Sequence, residues 1–174
     1  MFAEVPEEMV EECFREFAAR MQAVGRQFPG LPRQEVMLIR LAHLVYKRLE
    51  EVINRHLAPH ELNSSQWIAL ILIYSSAQGE ILPSEISHIA DSSRTNVTRL
   101  VDELVAKGWV SRTHNQEDRR KITLALTATG AALVEKVLPS LWEVYRKLWA
   151  PFSAEEMAQL EQLQRKLLQS LGDC

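Results

Sequence analysis

The feature that most constrains this chain lies in its middle. Between Pro83 and Leu126 two helix-forming stretches are joined by a tight turn and followed by two strand-forming runs. Pro83 opens a short helix, Glu85 to Ala90, and Asp91-Ser92 makes the turn. Ser93 then caps a longer helix that runs through Lys107, where Gly108 supplies a left-handed stop. Val97, Leu100, Val101, Leu104 and Val105 recur at helical spacing and form its inward stripe. That leaves Ser93, Arg94, Thr95, Asn96, Thr98 and Arg99 at its start and on its outer face. Val110 to Thr113 and Lys121 to Leu126 read as the strands. In the second, Ile122, Leu124 and Leu126 alternate with Lys121, Thr123 and Ala125, the period of a half-buried strand. The tip between them, HNQEDRR, is polar and turn-forming. Two short helices across a short turn form a helix-turn-helix unit, and the hairpin after it forms a wing.

The flanks are helical. Val10, Phe14, Phe17 and Met21 make one apolar stripe over 6–24, and Gly25 and then Phe28-Pro29-Gly30-Leu31-Pro32 are expected to break it. A second helix, about Arg33 to Leu57, is apolar on most sides: Val36, Ile39, Leu41, Leu44, Val45, Leu49, Val52 and Ile53. Such a helix is buried or lies in a subunit interface. Asn63, with Gln66 three residues on, opens a third helix that is expected to be core. Thr127 caps a long helix reaching Trp149, with Pro139 inside it as an expected kink. Ser153 and Glu156 form the capping box of a last helix carrying Met157, Leu160, Leu163, Leu167 and Leu168. The expected fold is mainly α: a winged helix-turn-helix with long flanking dimerisation helices and a two-stranded β wing.

Charge fits a duplex-binding face. From Ser92 to Lys121 seven cations stand against four carboxylates, a net +3, which leaves −6 for the rest of a chain whose total is −3. An acidic body with one basic segment is a nucleic-acid footprint. Arg94 and Arg99 have the reach for a guanine edge or a phosphate, Asn96 for adenine, and Thr95 or Thr98 for a thymine methyl. The longest apolar run, Trp67 to Tyr74, is eight residues, against the ~20 that span a bilayer. The start, MFAEVPEE, lacks an apolar signal core. Cys13 and Cys174 are too few and too distant for a disulfide framework. Cytoplasmic residence without membrane attachment is the expectation.

The sequence also lacks a phosphate loop, a nucleophile elbow and HExxH, and Glu117-Asp118 sits on a hairpin tip beside arginines. A non-enzyme is therefore expected, with no cofactor. His56 and His60 are four apart, but Pro59 intervenes and no further ligand is spaced for a metal. No metal is expected.

The stretch Ser92 to Gly130 (SSRTNVTRLVDELVAKGWVSRTHNQEDRRKITLALTATG) resembles the MarR family of bacterial regulators. The pieces that carry it are VTRLVDEL, the Lys107-Gly108-Trp109-Val110 exit, Asp118-Arg119-Arg120 in the wing, and Leu126-Thr127 leading to Gly130. The resemblance covers roughly Arg33 to the end. It is closest to multidrug-efflux repressors with an extra N-terminal helix. Asp91 stands where the family often has glycine, and Ala128-Thr129 where it often has charge.

The resemblance implies a sequence-specific, dimeric DNA-binding regulator on a pseudo-palindromic operator. Within a single domain over 1–174, helices 33–60 and 128–174 would dimerise and 62–127 would form the DNA-binding lobe. The wing arginine of the family's Asp-x-Arg motif, here Arg120 oriented by Asp118, would enter the minor groove, with Arg119 and Lys121 beside it. The resemblance also implies release by a small aromatic acid or phenol. Arg40, His43, Tyr46 and Lys47 on one helix and Trp67 on the next are the candidate ligand residues. Arg40, His43 and Lys47 share a face, which suits a carboxylate or pairing with Glu50 or Glu51. Two alternatives stand beside this reading. Cys13 offers a redox switch, disfavoured by the acidic Glu11, Glu12 and Glu16 around it. A winged helix used only for protein interaction is the other, and it has no need of Arg94, Asn96 and Arg99.

Overall fold

A computed structural model describes residues 7–76, 79–90, 92–114 and 122–172. The chain divides into two compact units, Met1–Glu51 and Val52–Cys174.

The first unit is a helical hairpin. Helix α1 spans Glu7–Gln27, and α2, Arg33–Leu57, begins in this unit and ends in the next. The expected break at Gly25 does not occur, and α1 continues to Gln27. A glycine inside a helix costs only about 1 kcal/mol relative to alanine, which is too little to stop it. The chain turns at the second expected break, Phe28 to Pro32, where Leu31 N–H bonds the Phe28 carbonyl at 3.0 Å. The broad apolar surface of α2 is not covered within one chain. Leu38, Ile39, Leu41, Val45 and Tyr46 are exposed, and Leu57 is its one buried residue. Every buried apolar side chain among the described residues lies in the second unit. Two helices alone cannot enclose a core of their own.

The second unit is a winged helix-turn-helix. Its helices are α3 (Ser64–Tyr74), α4 (Pro83–Ile89), α5 (Arg94–Ala106), α6 (Ala128–Trp149) and α7 (Ala154–Ser170). Strands β2 (Val110–His114) and β3 (Ile122–Leu126) pair antiparallel, with Val110 opposite Leu126 and His114 opposite Ile122. A strand not foreseen from sequence, β1 (Glu80–Ile81), pairs with the other edge of β3, so the sheet order is β1-β3-β2. Helix α3 is core as expected, with Trp67, Ala69, Leu70 and Ile73 buried. It packs against α5, α6 and β3, where Val97, Val101 and Leu104 of α5, Leu124 of β3, and Val134, Val137 and Leu141 of α6 are buried, and Ile86 of α4 is buried where α4 packs on α5 and β3. Burying an aliphatic side chain of this size stabilises the fold by about 1.5–3 kcal/mol, and these residues are among the most enclosed. The capping boxes at Asn63 and Ser153 are formed, and Thr127 caps α6 through the Gly130 N–H.

Candidate nucleic-acid interface

Ser93 adopts extended backbone angles and its hydroxyl accepts the Asn96 N–H at 3.3 Å. It thereby ends the turn and starts α5. The turn before it is closed from α4, since Ser87 Oγ donates to the Ser92 carbonyl and the Ser92 N–H returns to the Ser87 carbonyl at 3.0 Å. Ser87 was not singled out in the sequence. A serine in the last turn of a helix, six residues before the next cap, was the available signal.

The start and outer face of α5 are exposed at Ser93, Arg94, Thr95, Asn96, Thr98 and Arg99, while Val97, Val101 and Leu104 point inward. The face that would meet a duplex is thus opposite the face that anchors the helix. Thr98 Oγ1 donates to the Arg94 carbonyl at 2.9 Å. Arg99 Nη1 donates to Glu103 Oε1 at 3.0 Å, and Glu103 Oε2 accepts Gln66 Nε2 from α3 at 3.0 Å. The wing strand is joined to α5 by Arg112 on β2, paired with Asp102 at 2.6 Å.

The exit of α5 is held by a set of hydrogen bonds. Gly108 takes φ 72, the Trp109 N–H reaches back to the Leu104 carbonyl, and the Gly108 N–H to Val105. That is the Schellman pattern, and its left-handed residue favours glycine. Lys107 Nζ stands 4.5 Å over the Trp109 ring and donates to the Glu61 carbonyl. Thr127 Oγ1 donates to the Gly108 carbonyl at 2.7 Å and accepts the Gly130 N–H at 3.0 Å. The start of α6 therefore clamps the end of α5. Asp118, Arg119, Arg120 and Lys121, the wing-tip residues singled out from sequence, lie outside the described residues, as does Asp91.

The candidate ligand residues divide between the units. In the first, Arg40, His43 and Lys47 follow one another along α2. His43, Tyr46 and Lys47 are exposed, and Arg40 is half-buried with its guanidinium 5.4 Å from the centre of the Phe17 ring. Arg40 Nε is buried and has no hydrogen-bond partner. Glu51 pairs with Arg48 at 2.7 Å rather than with the stripe. In the second unit Trp67 is 5% exposed and belongs to the core, so in a single chain its indole packs instead of lining an open site. The Cys13 side chain lies outside the described ones.

His56, in the last turn of α2, bonds Ser140 Oγ on α6 through Nε2 at 2.9 Å. Burial, and then the neighbouring His60, hold its pKa below the ordinary imidazole value. Burial alone raises that of Tyr145. No group of three or more His, Cys, Asp or Glu is placed for a metal among the described residues. No helix among them is long and apolar enough to cross a membrane.

Known proteins share this arrangement. Residues 62–122, from just before α3 to the start of β3, match the MarR family. The transcriptional repressor MprA of Escherichia coli (strain K12) is 40% identical over 140 residues, 80% of each chain. A crystal structure of a mutant MarR from E. coli complexed with operator DNA superposes with a TM-score of 0.72 at 32% identity, over 79% of this chain and 98% of that one. The S. aureus MepR–DNA complex reaches the same TM-score at 22% identity, over 75% of this chain and 96% of that one, a likeness of fold. The match extends beyond the lobe to the flanking helices, at an identity that relatedness explains and shared architecture alone does not. With its capped, outward-facing polar helix and its three-stranded wing sheet, the chain belongs to the MarR family.

Proposed function

We propose that this chain is a dimeric transcriptional repressor that binds a pseudo-palindromic operator and is released from it by a small aromatic acid or phenol. The observation that carries the reading is the outer face of α5. Ser93, Arg94, Thr95, Asn96, Thr98 and Arg99 are exposed together on a helix whose other face is locked into the core. MprA is a transcriptional repressor and the MarR structure holds operator DNA, which favours the same use here. In this reading α5 lies in the major groove, where short polar side chains at its start allow close approach. The wing brings Arg120, oriented by Asp118, with Arg119 and Lys121, to the minor groove, where a narrow groove concentrates negative potential.

The proposed division of labour has 62–127 reading DNA, 33–60 and 128–174 forming the dimer, and 6–24 as an added helix. A two-fold dimer meets two half-sites about one helical turn apart. The effector, an organic anion or phenol, is read by Arg40, His43, Tyr46 and Lys47 of α2; Trp67, the remaining candidate, is buried in the core of a single chain. The unpartnered Arg40 Nε favours an acceptor there. A cytoplasmic location goes with this role.

The test is selection of bound duplexes from a random pool, with affinity measured at two salt concentrations. A pseudo-palindrome should be enriched, and affinity should fall steeply with salt. Arg94→Ala and Arg120→Ala should each cost about 1–3 kcal/mol on the enriched duplex. No enrichment and little salt dependence would turn the reading toward a protein-interaction module.

A further inference from the structure

Arg99 does not stand alone on α5. Its Nη1 donates to Glu103 Oε1 at 3.0 Å, one turn further on, and both side chains are open to solvent. An exposed pair of this kind contributes little by itself. The second oxygen of Glu103 is what differs, since it accepts Gln66 Nε2 from α3 at 3.0 Å. Gln66 is the buried polar residue of the core among the described residues, 5% exposed. Its amide has no freedom to turn, because its oxygen accepts the Asn63 N–H at 3.3 Å and its own backbone N–H is held by Asn63 Oδ1 at 2.9 Å. Oxygen toward Asn63 leaves nitrogen toward Glu103. The carboxylate is thus fixed from the core, and it presents one oxygen to Arg99. The guanidinium spends one donor there, and its other donors face outward.

We infer that Glu103 and Gln66 are positioning residues that hold the Arg99 guanidinium in the orientation from which its free edge meets the operator. The inference rests on the DNA reading of α5 above. It makes a prediction opposite to that of charge alone. A carboxylate on a face that meets phosphates repels them, so charge alone makes Glu103→Ala tighten binding to every duplex. Positioning makes Glu103→Ala weaken the operator complex, because Arg99 must then be ordered at the moment of binding.

The experiment uses the duplex enriched by the full-length protein, a scrambled duplex of the same composition, and the variants Glu103→Ala, Gln66→Met and Arg99→Ala. Glu103→Ala is expected to weaken operator binding about tenfold while binding to the scrambled duplex does not weaken. Gln66→Met leaves net charge unchanged and keeps an unbranched apolar filler in the core. It should lower the operator-to-scrambled ratio in the same direction. In an Arg99→Ala background both effects should vanish. If Glu103→Ala tightens both duplexes by one factor, or the Gln66→Met loss survives in the Arg99→Ala background, the positioning role is wrong. Failure of the DNA reading is separate and appears first, as no enrichment by the wild-type protein, and it takes this inference with it.

Discussion

Gly130 sits where the first turn of α6 crosses the exit of α5, and a Cβ built there would lie 2.1 Å from the Trp109 carbonyl oxygen and 2.9 Å from its carbon. The obstacle is backbone, which cannot swing aside. That backbone is also pinned, because the Trp109 carbonyl accepts the Thr127 N–H at 3.0 Å and the Gly108 carbonyl accepts Thr127 Oγ1. Gly130→Ala gains about 1 kcal/mol of helix propensity. It meets an overpacking cost at or above the upper end of the usual ~1–3 kcal/mol. The expected result is a net loss of about 2 kcal/mol or more, read as a lower urea midpoint at unchanged slope. A midpoint equal to or above wild type would show that the two helices separate easily. At this scale the sequence was partly legible. Thr127, Gly108 and the caps at Asn63, Ser93 and Ser153 were readable because capping depends on residues a few positions apart. The use of Gln66 was not. Its spacing shows a cap partner for Asn63, but the bond to Glu103 joins residues 37 apart and exists only once α3 and α5 pack.

Helix α2 ends against α6 through one polar contact, and that contact carries a pH dependence. Ser140 Oγ donates to the Val137 carbonyl at 2.8 Å, so its single proton is spent and His56 must donate from Nε2. Donation from Nε2 leaves Nδ1 as the site a second proton would take, and burial disfavours that proton. Burial first and His60 second push the His56 pKa below 6.5. The unfolded chain then takes up this proton before the folded one does. This contribution is complete above pH 6.5 and is lost as pH falls through the lower folded value. The thermal midpoint should drop between about pH 7.5 and about pH 5.5, and less so in His56→Gln, which still offers a donor to Ser140. Equal drops in both proteins would place the acid sensitivity elsewhere. Elements show the same limit of legibility as residues. The periodicity of α5 and β3 predicts what the structure contains, because each has a buried and an exposed face within one chain. Two-residue β1 has no periodicity to read, and it becomes a strand only because β3 offers it an edge. The all-round apolar character of α2 was legible as burial or interface, and the single chain leaves much of that surface open.

At the scale of the whole molecule the open apolar surface decides what the chain must do in solution. Helix α7 is exposed along its length apart from half-buried Leu160, although Met157, Leu163, Leu167 and Leu168 are large and apolar. A 17-residue amphipathic helix is marginal in water unless its apolar face is covered. In the proposed dimer a second copy covers it, and two-fold symmetry counts each substitution twice. Leu163 and Leu167 are one turn apart on one face, so Leu163→Glu with Leu167→Glu removes four buried leucines per dimer. At about 1.5 kcal/mol each, the low end for such a side chain, the loss is about 6 kcal/mol. That corresponds to about four powers of ten in the dissociation constant. Sedimentation equilibrium at micromolar protein should show dimer for the wild type and monomer for the variant. Operator binding should fall with it, since a monomer engages one half-site and loses the second as a linked event. A variant that remains dimeric would move the interface off this face of α7 and onto the exposed Leu38, Ile39 and Val45 of α2, where the same substitution then becomes the test.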